Sequence, residues 1–149
     1  MTPKSRAKTS RPKFNPKVDY PLSQNRPDLV RTLSGKSLNS VTLEGVVSKK
    51  IDSQEFRIRP ETLRMQAKVA AAHGREQLAL NLRRAAELTA MPDDYIFKVY
   101  NALRPRRSTE EELLALAKEL DKTYEARLNA ELVREAARIY KIRHLLKES

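Results

Sequence analysis

The stretch YNALRPRRST, residues 100–109, contains the end of one helix and the start of the next. Pro105 disfavours the α conformation at the residue before it, so a helix that enters this stretch stops there. Ser108 and Glu111 then match the S-x-x-E pattern of a capping box, in which the two side chains satisfy free backbone N–H groups at a helix start. The stretch therefore predicts two helices joined by a short arginine-rich turn.

Helical spacing continues on both sides of this junction. Pro92–Asp94 suits a first helical turn, because proline fits there and acids complement the helix dipole. The predicted buried positions before the junction are Ile96, Val99, Tyr100 and Leu103, at spacing i, i+3, i+4 and i+7. Those after it are Leu113, Leu116, Ala117, Leu120 and Tyr124, then, in a last helix from about Asn129, Leu132, Ala136, Ile139 or Tyr140, and Leu145-Leu146.

Another helical region opens at Pro60, a good first helical position. Its predicted buried positions are Leu63, Ala67, Ala70 and Ala71, followed on one face by Leu78, Leu82, Ala85 and Thr89. The pair His73-Gly74 between these sets either ends the first helix or only weakens a longer one. Residues 60–149 are thus predicted to form an all-α domain of four to five helices in a small bundle.

The N-terminal third lacks this regularity. Pro21, Pro27 and the Ser34-Gly35 turn argue against a long helix before residue 40. One short helix is predicted after Asn39 or Ser40, with Val41, Leu43, Val46 and Val47 as its buried residues. Residues 18–59 are therefore predicted to be an extended, irregular segment. Residues 1–20 hold six Lys/Arg and one acid, and residues 1–17 are predicted to be a basic disordered tail.

No catalytic, cofactor-binding or metal-binding residue is predicted in this chain. Its two histidines lie 71 positions apart, and the adjacent acids Asp93-Asp94 point in different directions on a helix. The run Ser34–Ser37 contains the last letters of a phosphate loop, but Val30 stands where that motif needs glycine, so a tight turn is predicted. The absence of cysteine and of any stretch of about 20 apolar residues favours a cytoplasmic protein.

Nucleic-acid binding is an alternative because the formal net charge is +11. Arg83-Arg84, Arg104 and Arg106-Arg107 would then contact phosphates together with the basic tail. Against this stand the many acids on the same helices and the lack of aromatic residues interleaved with the arginines to stack on bases. A small basic helical nucleic-acid-binding protein remains the second interpretation.

Several runs closely resemble the small (gamma) subunit of adenosylcobalamin-dependent diol and glycerol dehydratases. They are Asn81–Leu88 (NLRRAAEL), Pro92-Asp93, Tyr100–Pro105 (YNALRP) and Arg107-Ser108. Flanking pieces agree in order, including Asp19–Leu22, Thr42–Glu44, Asn129-Ala130 and Arg143–Leu146. The resemblance covers about residues 18–147. Leu82 stands where relatives commonly carry phenylalanine, and residues 1–17 do not match the longer extensions with which some relatives enter bacterial microcompartments.

The resemblance implies a role without chemistry of its own. Such dehydratases convert 1,2-propanediol to propionaldehyde, or glycerol to 3-hydroxypropionaldehyde, with the cobalamin held between the large (alpha) and medium (beta) subunits. The assembly is a dimer of three-chain units, and the small subunit packs against the large one. On this basis residues 18–59 are expected to lie draped over the partner. The predicted partner-interface residues are Tyr20, Arg57, Arg83, Arg84, Tyr100, Leu103, Arg104 and Arg107, although Arg83 and Arg84 equally suit ordinary solvated helix charges.

Overall fold

A computed structural model describes residues 13–148 of the 149-residue chain. Seven α-helices lie in these residues: α1 (Leu22–Asn25), α2 (Leu43–Val47), α3 (Pro60–Ala72), α4 (Glu76–Leu88), α5 (Asp93–Ala102), α6 (Glu110–Thr123) and α7 (Arg127–Ile142). The described part of the chain contains no strand, and its one isolated bridge joins Arg31 to Ser37. The all-α prediction is confirmed. Five helices follow Pro60 as expected, whereas the short α1 raises the total above the predicted count. Residues 1–12 of the predicted tail lie outside the described residues.

Gly74 separates α3 from α4, which settles the choice that the sequence left open. Its backbone has φ +72°, a conformation that glycine adopts without the steric penalty of a Cβ. The Gly74 N–H donates to the Ala71 carbonyl at 3.0 Å, and the Arg75 N–H donates to the Ala70 carbonyl at 2.9 Å. This pair of bonds is the Schellman motif that closes a helix C-terminus.

The two helices around this turn pack closely through small side chains. Ala67 and Ala70 of α3 meet Ala79 of α4, and all three are buried. On α4 the predicted burial of Leu78 was wrong, because Leu78 is exposed and Ala79 and Ala86 are the buried residues. Leu82 packs against the α3–α4 contact as predicted. Alanines at the contact let the helix backbones approach, and Leu78 lies outside it.

The main core lies between α5, α6 and α7. Leu113, Leu116, Ala117 and Leu120 are buried on α6 as predicted, against Ala130, Val133 and Ala137 of α7. The predicted burial of Tyr100 was wrong: 66% of it is exposed, and Tyr95 is the buried tyrosine of α5. The reason is the neighbouring helix end, where the Tyr124 ring lies 4.6 Å from the Tyr95 ring, centroid to centroid.

The start of α6 corrects the predicted cap by one residue. Thr109 is the N-cap, and its hydroxyl oxygen accepts from the Glu112 N–H at 3.3 Å while the Glu112 carboxylate accepts from the Thr109 N–H at 2.9 Å. Ser108 is buried instead, and its hydroxyl donates to the Ala102 carbonyl at 3.0 Å. Ser108 therefore ties the end of α5 to the start of α6, which leaves the next residue to cap the helix.

Helix α2 lies where a short helix was predicted, but its apolar residues are not buried as expected. Leu43 is 80% exposed and Val47 75% exposed. Gly45 lies on the inner side of this helix, where an added Cβ would lie 2.6 Å from the Ile51 Cδ1 atom. Because Ile51 closes onto the glycine, the two larger side chains point away from it.

Candidate partner-binding site

The N-terminal segment exposes an unusual number of large hydrophobic side chains. Eight of them in residues 18–58 form what we call the N-terminal apolar set: Val18, Tyr20, Leu33, Leu38, Leu43, Val47, Phe56 and Ile58. Monomeric proteins rarely leave so much apolar surface in water, and such surfaces mark interaction sites. Tyr20, a predicted partner-interface residue, is 64% exposed.

Local hydrogen bonds hold this segment in a defined shape. The Thr42 hydroxyl oxygen accepts from the Gly45 N–H at 3.1 Å and so caps α2, and the Gly45 carbonyl accepts from the Ile51 N–H at 3.0 Å. The set is therefore presented on a preformed backbone, which lowers the entropy lost on binding.

The turn before α2 has a carboxylate at its centre. Gly35 has φ +85° and its N–H donates to the Thr32 carbonyl at 3.0 Å, as predicted for a tight turn. Glu55 accepts from the Ser34 hydroxyl at 3.0 Å and from the Lys36 ammonium at 3.1 Å. Hydrogen bonds from Thr32, Ser34 and Lys36 lower the pKa of Glu55 to about 2. The Glu55 carboxylate therefore holds the turn around Gly35 against the C-terminal end of the N-terminal segment.

A groove of about 410 Å³ separates the segment from the helical domain. Leu33 and Ile58 line its outer side, and Leu63, Leu88, Met91 and Ile96 are among the residues that line it from the helices. Arg57, a predicted interface residue, lies at this groove and pairs with Asp93 at the start of α5, Nη2 to Oδ2 at 2.9 Å. The pair is about half exposed, so it orients the segment but contributes little to stability.

The outward face of α5 carries two exposed aromatic side chains. Phe97 is 65% exposed and Tyr100 is 66% exposed, three residues apart on one helix face. Tyr100 was predicted as an interface residue, and Phe97 was not. The exposure of Phe97 could have been predicted from the sequence, because Phe97 lies outside the buried stripe of Ile96, Val99 and Leu103.

The predicted residues of the α5–α6 junction divide into two groups. Leu103 is partly buried against the core, and its carbonyl accepts from the Tyr140 hydroxyl, so it supports the fold. Arg104 and Arg107 are exposed, at either end of a turn closed by the Arg107 N–H donating to the Arg104 carbonyl at 3.3 Å. Of the eight predicted residues, Tyr100, Leu103, Arg104 and Arg107 are thus brought together in one place.

The predicted arginines of α4 differ from each other. Arg83 is exposed, whereas Arg84 is half-buried, with Nη1 at 3.5 Å from the Asn81 Oδ1 atom. The Arg84 Nε atom is buried and has no hydrogen-bond partner among residues 13–148. Arg84 is therefore more buried than an ordinary solvated helix charge, whereas the exposure of Arg83 fits both a solvated charge and a partner contact.

Metal-binding clusters and membrane-spanning helices are absent from residues 13–148. No cluster of three or more His, Cys, Asp or Glu side chains there has the arrangement to hold a metal ion. Within the same residues, every helix is too short or too polar to cross a membrane. Exposed apolar side chains on a small helical domain are typical of a surface that contacts other chains.

Comparison with known proteins identifies the family. The dehydratase small subunit family matches residues 16–147. The chain is 54% identical over 129 residues to the propanediol dehydratase small subunit of Salmonella typhimurium, which covers 87% of this chain and 75% of that one. It is 53% identical over 130 residues to the protein of the same name from Citrobacter freundii, with 87% and 76% covered. The chain belongs to the dehydratase small subunit family.

Family membership has two consequences. Other dehydratase subunits are the partners of this chain. The nucleic-acid-binding alternative receives no support, since the match extends over nearly the whole chain, including the arginines on which that alternative rested.

Proposed function

We propose that this chain is the non-catalytic small subunit of an adenosylcobalamin-dependent propanediol dehydratase, needed for assembly and stability of the holoenzyme. The complex would convert 1,2-propanediol to propionaldehyde, or glycerol to 3-hydroxypropionaldehyde, in the cytoplasm. The observation that carries the proposal is the 53–54% identity to two propanediol dehydratase small subunits over 87% of the chain. In this proposal the large and medium subunits bind the cobalamin and this chain binds none.

The N-terminal apolar set is proposed to contact the large subunit directly, with residues 18–59 draped over it. Leu43 and Val47 are its most exposed members. Burying a leucine or valine side chain contributes about 1.5–3 kcal/mol, so these two could supply much of the binding energy. Tyr20 and Arg57 lie in the same segment and belong to the same proposed contact.

The second part of the proposed interface is the outward face of α5 and the junction that follows. Phe97, Tyr100, Arg104 and Arg107 are exposed there. Aromatic residues and arginine are enriched at the centres of protein interfaces. Leu103 would support this contact indirectly by holding the turn, and Arg83 would lie at the rim of the interface. Two units, each of one large, one medium and one small subunit, would form the complete enzyme.

Co-purification tests the proposal. A tagged form of this chain is expressed with the large and medium subunits, and the same two subunits are expressed without it as the control. The expected result is a stoichiometric three-chain complex with dehydratase activity that depends on adenosylcobalamin, and a loss of stable activity in the control. A monomeric chain beside two fully active subunits would contradict the proposal.

A further inference from the structure

Two chain segments lie side by side at one end of the bundle. The Arg106 N–H donates to the Leu145 carbonyl at 2.7 Å, and the Lys147 N–H donates to the Ser108 carbonyl at 2.9 Å. These bonds place the α5–α6 junction next to the residues that follow α7. Residues 104–108 and 143–148 together carry five Lys/Arg and one carboxylate, Glu148.

The five cations form what we call the basic platform: Arg104, Arg106, Arg107, Arg143 and Lys147. All five are exposed, and none forms an ion pair with a carboxylate of residues 13–148. Two other cations of α7 do form ion pairs: Lys141 pairs with Glu110 at 2.7 Å and Arg134 pairs with Asp121 at 3.1 Å. No direct ion pair within residues 13–148 therefore engages the guanidinium and ammonium groups of the platform, and the closest acids in sequence are Glu110, Glu111, Glu112 and Glu148.

The backbone under the platform is strained at both segments. Arg106 has φ +61° at the third position of a turn whose second residue is Pro105, where glycine or asparagine is normally favoured. His144 has φ +53° at the position where α3 uses Gly74 to end its helix. Non-glycine residues in this region cost free energy and concentrate at functional sites. Local stability does not explain an arginine at position 106.

The platform has an ordered backbone turn and an exposed tyrosine next to it in sequence. Its turn is tied down by the Ser108 hydroxyl bond to Ala102 and by the Tyr140 hydroxyl bond to Leu103. Exposed Tyr100 lies one helical turn before Arg104. Arginines next to an exposed tyrosine have the composition of a binding hot spot, and the backbone turn that carries Arg104, Arg106 and Arg107 is already ordered before association.

We propose that the basic platform binds an acidic face of another subunit of the dehydratase, as a contact separate from the N-terminal apolar set. The inference rests on the proposed function, since it requires the other subunits to be present. Carboxylates on the partner would form charge-assisted hydrogen bonds with the guanidinium groups and neutralise the platform. The same charges would attract the partner before contact, so the rate of association would fall with added salt.

The test removes charge from the platform without forcing it to unfold. The platform variant is Arg106→Asn, Arg107→Gln and Arg143→Gln, because asparagine tolerates a positive φ at position 106. The control variant is Arg64→Gln, Lys68→Gln and Lys118→Gln, three exposed cations that form no ion pair in the described residues. Thermal unfolding of each purified chain establishes that both variants are as stable as the wild type.

Affinity for the purified large–medium subcomplex is then measured between about 50 mM and about 500 mM NaCl. The platform variant is expected to bind about tenfold more weakly than wild type at the lowest salt, with a shallower salt dependence. The control variant is expected to match the wild type in binding.

Three outcomes count against the inference in different ways. Wild-type binding of the platform variant, with an unchanged salt dependence, overturns it while the proposed function stands. Failure of the wild-type chain to bind the subcomplex refutes the proposed function and the inference with it. Binding of a labelled polyuridylate RNA that the platform variant loses, while its binding to the subcomplex is unchanged, makes the platform a nucleic-acid site.

Discussion

The carboxylate of Glu87 on α4 caps the N-terminus of α7 and bonds to Asn129 twice. Glu87 Oε1 accepts from the Leu128 N–H at 3.0 Å, and Oε2 accepts from the Asn129 N–H at 3.0 Å and from its side-chain amide at 2.7 Å. The same amide donates to the Arg84 carbonyl at 3.0 Å. Because Ala126 at the N-cap has no side chain that could cap the helix, a carboxylate some forty residues away supplies the cap.

Removing this carboxylate is expected to destabilise the fold. Glu87→Ala should lower the free energy of unfolding by about 2–3 kcal/mol, since three partly buried donors lose a charged acceptor. Glu87→Gln should cost about 1 kcal/mol, because one acceptor oxygen remains. Urea denaturation measures both, with Glu135→Ala on the exposed side of α7 as the control. An unchanged denaturation midpoint for Glu87→Ala would show that the cap is unimportant.

Two exposed side chains of α2 are expected to matter for assembly and not for folding. Leu43→Ser with Val47→Ser should leave the thermal midpoint of the isolated chain unchanged, because both are at least 75% exposed. Affinity for the large–medium subcomplex should fall about 10- to 100-fold. The matched control is Leu78→Ser with Leu114→Ser, two exposed leucines of the helical domain. Equal losses for both pairs would argue against a specific contact.

A side chain at position 45 is expected to force the Ile51 side chain to shift. A Cβ at position 45 would lie 2.6 Å from Ile51 Cδ1 and 3.2 Å from the Thr42 hydroxyl oxygen that caps α2. Gly45→Ala should therefore displace Ile51 and weaken α2 by about 1–3 kcal/mol, seen as faster tryptic cleavage at Lys49 and Lys50.

The double variant tests this cause. In the background Ile51→Ala, adding Gly45→Ala should accelerate cleavage much less than in the wild type, because the Ile51 contacts at 2.6 Å and 3.0 Å are gone and only the 3.2 Å contact with the Thr42 hydroxyl oxygen remains. If the second substitution accelerates cleavage as much in that background as in the wild type, steric conflict with Ile51 is not the reason.

The turn at Ser34–Lys36 is expected to loosen in acid. The pKa of Glu55 is lowered from 4.5 to about 2 by hydrogen bonds from Thr32, Ser34 and Lys36. A folded-state pKa below the unfolded value means that the stabilisation is fully present above pH 4.5 and is lost as the pH falls toward 2. NMR titration of the Lys36 amide should follow this transition. In Glu55→Gln the transition should be absent, and a midpoint near 4.5 in the wild type would contradict the hydrogen-bonded turn.

Helix α7 is expected to gain stability from a glycine at its end. His144 has φ +53° in the Schellman position after α7, so His144→Gly should raise the free energy of unfolding by about 1 kcal/mol. The opposite exchange is the control: Gly74→Ala, at φ +72°, should lower it by a similar amount. Denaturant midpoints measure both. A destabilised His144→Gly would mean that the imidazole makes a contact worth more than the strain.

The helix boundaries could be predicted because they depend on residues that act locally. Pro60 and Pro92 lie at the starts of α3 and α5, Gly74 follows the end of α3, and Pro105 prevents α5 from continuing. Proline restricts φ and lacks an N–H, and glycine tolerates a positive φ, wherever they occur. For the same reason the tight turn at Gly35 and the absence of a long helix before residue 40 followed from residue identity.

The details that were missed depend on what lies opposite in space. Ser108–Glu111 and Thr109–Glu112 both fit a capping box, and the choice between them came from the Ala102 carbonyl, which binds the Ser108 hydroxyl. Tyr95 and Tyr100 both fit a helical stripe, and contact with Tyr124 selected Tyr95. Neither competing pattern differs enough in local energy to be excluded from the sequence.

The candidate interface shows the same division. The composition and the YNALRP run were enough to predict a helical dehydratase small subunit and to point to Tyr100, Arg104 and Arg107. The basic platform could be identified only from the fold, because the backbone hydrogen bond between Arg106 and Leu145 joins residues 39 positions apart. The conformational limits of single residues follow from their covalent geometry, so they can be predicted from the sequence. Burial and charge pairing depend on distances between remote residues, and those exist only once the helices have packed.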